Sequence, residues 1–314
     1  MNTHFLAAVL SVLAFVTIGP FVKMLSPTLP IPLITFGRAF FGFVFVLLLV
    51  KKAHFRVEKF HWNDVQDYAF VGFLLAMTMS LYNYAFTLSP LADVVLLNYA
   101  HVFISPVLAW FLLREKIERK TWLYILAGFV GVALVNPFTG QSTEGNFAAL
   151  GAGLTYALMA VYMRKVDKHH GLGDVAYFLG FATLFLLPFT ALTIIPLNVF
   201  TYFSWQTILL LAGAGFLSTG LGYFFFNYAL EKLHVHVVST LDLALGTLLG
   251  IVLSVYAYHE TLSLNVLAGG LIIVLSGVLF VRSQHILDVR LKLPRGKKGI
   301  YATAFLSRKT SGKH

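Results

Sequence analysis

The chain has 314 residues, of which 58% are hydrophobic and 11% charged, with a formal net charge of +10 and no cysteine. An apolar excess of this size leaves no room for a soluble catalytic domain, and the lack of Cys excludes disulfides, a thiol nucleophile and a Cys-based metal site. The basic excess excludes little by itself, but its placement makes a nucleic-acid partner unnecessary.

Ten apolar runs approach the roughly 20 residues that a helix needs to cross a bilayer. In chain order they cover 5–25, 31–50, 68–89, 91–113, 121–138, 147–163, 173–195, 206–230, 235–258 and 263–281. The first follows Met1–His4, which holds no Lys or Arg, and has no small-x-small cleavage site, so it is expected to stay as a helix. Lys and Arg fall after every second run: 51–59, 114–120, 164–168, Lys232 and the tail from Arg282. Of the 23 Lys and Arg, all but Lys23 and Arg38 lie there. Short loops rich in Lys and Arg stay on the cytoplasmic side, which predicts both termini inside and a plasma (inner) membrane location. The fold class expected is all-α and integral to the membrane, with ten spans.

The chain also resembles itself. Tyr82-Asn83-Tyr84-Ala85 in the third run is echoed 144 positions on by Phe226-Asn227-Tyr228-Ala229 in the eighth. Asn98 corresponds to Asp242, Glu115 to Glu260 and Gly131 to Gly277, at offsets of 144 to 146. The copies lie five runs apart, an odd number, so the second half enters the membrane upside down. Inverted repeats of this kind place a substrate at mid-membrane between halves that rock. The halves are read as 1–140 and 146–282, divided by the Gly/Pro/Thr-rich loop Asn136 to Asn146, with a basic cytoplasmic tail over 283–314.

Ten helices in five-plus-five form, with Pro106-Val-Leu-Ala-Trp-Phe-Leu-Leu-Arg-Glu115 and a Gly-rich run from Ala268-Gly269-Gly270 through Ser276-Gly277, resemble the EamA-type family of the drug/metabolite transporter superfamily. The resemblance covers about residues 5–282. Where many members carry Gly before the Glu, this chain has Arg114 in one half and His259 in the other. The resemblance implies a multipass carrier of small organic solutes without a cofactor, and it names no substrate.

Charges inside a span are costly, about 2.5–3.5 kcal/mol at a helix centre, and demand a partner or a function. Arg38 lies seven residues from the outer end of the second run. It either receives a substrate carboxylate or phosphate, or snorkels outward, or pairs with Asp93. Asp242 lies seven residues into the ninth run. It either couples transport to protons, or holds a substrate amine, or is a structural Asp bonded to Ser239 or a neighbouring helix. The two differ in depth by roughly 10 Å, too far for a direct salt bridge but suited to a zwitterion between them.

Tyr82, Asn83, Asn98, Tyr99, His101, Tyr223 and Asn227 complete the expected substrate-binding set, in a central cavity between the second to fourth and seventh to ninth runs. Asn98, His101 and Ser105 share one face of a continuous helix at their spacing. Taken singly, each amide or ring is equally a helix–helix hydrogen bond. Glycines at close spacing are expected to pack helices, and Pro106 and Pro188 to kink them.

An enzyme is not expected: Gly171-Leu-Gly-Asp174 fits an intramembrane-protease pattern but lacks the second carboxylate, and His234 and His236 point to different faces as a metal pair. A channel or a scaffold without carrier activity is the competing class, but one Arg and one Asp make no charged ring. The reading is a secondary transporter working by alternating access, with a weak lean to amino acids or related polar solutes. Its partners are a small-molecule substrate and the lipid bilayer, with no nucleic acid, metal or cofactor.

Overall fold

A computed structural model describes residues 3–52, 62–114, 117–135, 142–165, 172–194, 204–230, 232–233 and 235–292, and every regular element in them is helical. The elements are α1 (Thr3–Val16), α2 (Ile18–Leu25), α3 (Ile31–Lys52), α4 (Trp62–Leu88), α5 (Leu91–Asn98), α6 (His101–Leu113), α7 (Arg119–Leu134), α8 (Thr143–Lys165) and α9 (Leu172–Ile194). There follow α10 (Trp205–Gly213), a π-helical segment Ala214–Leu221, α11 (Gly222–Leu230), α12 (Val235–Leu241), a second π-helical segment Asp242–Gly246, α13 (Thr247–Tyr258) and α14 (Leu264–Lys292).

Among the described residues nine helical stretches are long and apolar enough to cross a membrane. They match the expected runs except the fifth. That run is α7, with 16 residues, and the end of its expected range, 136–138, lies outside the described residues. Glu115, the dividing loop over 136–141 and the tail beyond 292 lie outside them too.

Four runs expected to be unbroken are not. The first stops at Val16 and resumes at Ile18 as α2. Pro20 explains the break, since its ring clashes with the Val16 carbonyl four residues earlier and offers it no N–H. The fourth is interrupted at Tyr99–Ala100, and the eighth and ninth carry the π segments. Pro106 and Pro188, by contrast, sit within the continuous helices α6 and α9. The last helix continues well past its expected end at 281, because 282–292 holds no Gly or Pro.

The helices pack as pairs. α4 lies against both α8 and α9, α3 against α9 and the Ala214–Leu221 segment, α1 against α11, and α7 against α14. Backbones meet where α7 crosses α14: a Cβ added at Gly269 would lie 2.6 Å from the Gly131 carbonyl oxygen, and one at Gly131 would lie 2.9 Å from that of Gly269. Small residues permit this approach in a medium where apolar burial alone does not drive helix association. Large apolar side chains such as Phe111 (72% exposed) stand on the outside, as a surface facing hydrocarbon requires.

Two regularities run through the chain. Five helix starts recur as Thr3 and Thr143, Ile31 and Leu172, Trp62 and Trp205, Leu91 and Val235, Arg119 and Leu264, at separations of 140, 141, 143, 144 and 145 residues. Arg114 and His259, themselves 145 apart, are the non-glycine residues with positive φ (56° and 51°) among those described. Each ends a helix, α6 or α13, in the left-handed conformation that glycine adopts without strain.

Candidate functional site

Among the described residues Arg38 of α3 is the most buried Lys, Arg, Asp or Glu, at 4% exposed. Its Nη1 donates to Asn83 Oδ1 at 2.7 Å. Asn83 Nδ2 in turn donates to Thr35 Oγ1 at 2.9 Å, and the Thr35 hydroxyl donates to the Ile31 carbonyl at 2.9 Å. Asn83 and Thr35 are wholly buried. The amide therefore stands behind the guanidinium, fixing its plane from α4, and is not a cavity wall. Asp93 is not the partner of Arg38.

In front of Arg38 lies a cavity of about 160 Å³. Asp242 stands on its wall as well, at the first residue of the second π segment. The two charges share one space, and no ion pair joins them. Tyr82, Asn98, Tyr99, His101 and Tyr223 also face it. Buried polar groups without partners cost about 1–3 kcal/mol each and so ask for an explanation. Arg38 Nε, Asn98 Oδ1, His101 Nδ1 and Thr219 Oγ1 are such atoms, and all four belong to residues of the cavity wall.

Tyr99 has a second task. Its hydroxyl donates to the Asp242 carbonyl at 2.8 Å, a carbonyl inside the π turn. A Cβ at Gly246 would run into that hydroxyl. Tyr99, directly after α5, thus braces the distorted turn that presents Asp242.

Other expected residues fall elsewhere. Asn227 Nδ2 donates to the Tyr223 carbonyl at 2.8 Å, within its own helix and off the wall. Ser105 donates to the His101 carbonyl at 2.7 Å, and the break at Tyr99–Ala100 means that Asn98 and His101 reach the cavity from two helices rather than one face. Asp174 accepts a hydrogen bond from the Tyr68 hydroxyl, away from the cavity. The walls come from the first four runs and the sixth, eighth and ninth, whereas α9, the expected seventh, supplies none.

Several wall residues were not singled out by sequence. Tyr156 of α8 stacks on His101 at 4.7 Å between ring centroids, and Phe15 of α1 meets Tyr223 edge-on at 5.4 Å. A signal for them existed. Leu75 and Thr219, Met79 and Tyr223, Tyr82 and Phe226, Asn98 and Asp242 are wall residues 144 positions apart, the offset of the sequence repeat, and Phe15 and Tyr156 are 141 apart, within the range of the recurring helix starts.

Residues 3–136 and 143–282 each match the model of the EamA-like transporter family. An uncharacterized transporter of Archaeoglobus fulgidus is 30% identical over 280 residues, 87% of this chain and 94% of that protein. An S-adenosylmethionine uptake transporter of Rickettsia prowazekii is 24% identical over 134 residues, 42% of this chain and 46% of that protein. One solved crystal structure, 18% identical, superposes with a TM-score of 0.62 over 93% of this chain and all of its own, a likeness of fold.

Proposed function

Because the chain belongs to the EamA-like transporter family and is an integral multipass membrane protein, we propose that it is a ten-span secondary transporter for a small zwitterionic metabolite of the amino-acid type. α7 serves as the tenth span. The halves 1–140 and 146–282 form inverted five-helix repeats, a reading supported by the five recurring helix starts and the odd number of spans between copies. The tail over 283–314 and both termini face the cytoplasm across the plasma membrane, as the Lys and Arg distribution favours.

The observation that carries the proposal is a guanidinium and a carboxylate on the wall of one cavity, with no ion pair between them. A solute bearing both charges meets both at separate points, which offsets its desolvation and lost freedom of motion. Arg38 takes the carboxylate and Asp242 the amine, while Tyr82, Tyr99 and Tyr223 pack the remainder. The cavity has the volume of about five waters, a scale suited to one compact solute. S-adenosylmethionine, named as the cargo of the Rickettsia relative, itself ends in an amino-acid headgroup. Asp242 also serves as the proton carrier of a coupled cycle, by alternately binding a proton and the amine.

Counterflow of labelled amino acids, nucleosides and organic cations in proteoliposomes tests this. Saturable exchange of amino acids is expected, abolished in Arg38→Gln. Asp242→Asn is expected to lose stimulation by a pH gradient. Exchange of none of these solutes by folded protein would refute the substrate class, and flux without saturation or trans-stimulation would identify a channel.

A further inference from the structure

We propose that α2 is a hinged lid over one end of the cavity, latched shut by Glu260. The lid is eight residues long and separated from α1 by the single residue Thr17, where Pro20 interrupts the helical bonding. Its underside is Gly19, a wall residue. A Cβ there would lie 2.9 Å from both the Leu91 and the Phe86 side chains, themselves wall residues of α5 and α4. The short helix thus meets the cavity through Ile18 and Gly19, while its Val22 and Leu25 are wholly buried in the apolar core.

The latch is one carboxylate that ties three parts of the fold. Lys23 of α2 forms an ion pair with Glu260 Oε1 and lies 4.9 Å from the centre of the Tyr258 ring. Glu260 Oε2 accepts from the Leu91 N–H at 2.8 Å, at the start of α5, and from the Ser254 hydroxyl of α13 at 2.5 Å. The left-handed turn at His259 folds the chain back so that the Glu260 N–H donates to the Ser254 carbonyl at 3.0 Å. The ends of α2, α5 and α13 therefore meet over the cavity, and Leu91 belongs both to its wall and to the latch. With the side chains of Lys23 and Glu260 only 19% and 15% exposed, the pair is shielded from water more than an ordinary surface pair. Breaking it frees the lid to turn about Thr17, and cavity residues such as Val95 then open to that face.

The lid stands on this geometry, while its role as a gate rests on the transporter reading above. The chain's lack of cysteine makes a background-free test possible. In sealed vesicles of either orientation, Val95→Cys is the reporter for a membrane-impermeant thiol reagent, and exposed Thr261→Cys marks the latch face. Lys23→Met in the reporter background should speed modification about fivefold or more from the latch face alone. Glu260→Gln should act in the same direction, and Pro20→Ala, which restores helix continuity, should slow it. Lys23→Met leaves the bonds of Glu260 to Leu91 and Ser254 in place, so it decides the matter even if Glu260→Gln fails to fold. An unchanged rate, or an equal rise from both faces, overturns the lid. Modification needs no substrate: a responsive lid without amino-acid exchange leaves the lid and removes the amino-acid reading, and exchange with an unresponsive reporter does the reverse.

Discussion

Among the described residues Arg38 donates to Asn83 through Nη1, and its buried Nε has no partner. Asn83→Ala is therefore expected to raise the half-saturating substrate concentration roughly tenfold with little change in maximal rate, as a loosened charged hydrogen bond would. Concentration series of initial uptake rates check this, and an equal fall in maximal rate would mean a collapsed fold instead. The left-handed residues offer a second case. Arg114→Gly and His259→Gly remove a strained side chain at a helix end and should each raise the thermal midpoint in detergent by about 1–3 °C. Sequence exposed both positions, because the family's glycine was missing there. It exposed Arg38 and Asp242 as well, since a charge in an apolar run has few explanations. Asn83 and Asn227 were legible as polar residues but not as to task, because whether an amide faces a cavity or braces a neighbour depends on helix rotation by a few tens of degrees.

Among the elements, the interrupted helices carry the site. The second π segment turns Asp242 toward the cavity and is braced through its carbonyl by Tyr99, with Gly246 giving the hydroxyl room. Gly246→Ala should cost about 1–3 kcal/mol by overpacking. The double variant with Tyr99→Phe, which takes away the oxygen that the new methyl meets, should recover part of it, and denaturation of all three variants measures the coupling. Of the prolines, Gly19-Pro20 joins two helix-weakening residues, and the chain breaks there. Pro106 and Pro188 lack such a neighbour and lie in continuous helices. The π segments were not read from sequence: the second is braced by Tyr99 from another run, and in the first the Ser218 hydroxyl donates to the Ala214 carbonyl, a bond that serine makes equally in an ordinary helix.

The molecule as a whole is held by close crossings such as that of α7 with α14. Gly131→Leu or Gly269→Leu, which would drive a side chain into the opposite backbone, should abolish monodisperse protein on size-exclusion chromatography. Reporter fusions at the two termini should both read as cytoplasmic, and opposite readings would refute the ten-span topology. The repeat was visible in sequence through its polar residues, since Asn and Tyr are rare enough in apolar runs to be matched. The first and sixth runs were missed as cavity walls because Phe15 and the apolar residues around it look the same whether they pack or line a space. The two halves are not mechanical copies, however. Pro20 breaks the first helix, while Ala160 and Val161, which stand 140 and 141 residues on, leave α8 continuous from Thr143 to Lys165. With α2 as the lid proposed above and α8 unbroken, the cavity should fill and empty at unequal speeds on its two sides. Half-saturation measured in right-side-out and inside-out vesicles should then differ, although the final distribution of solute, set by the gradients alone, does not.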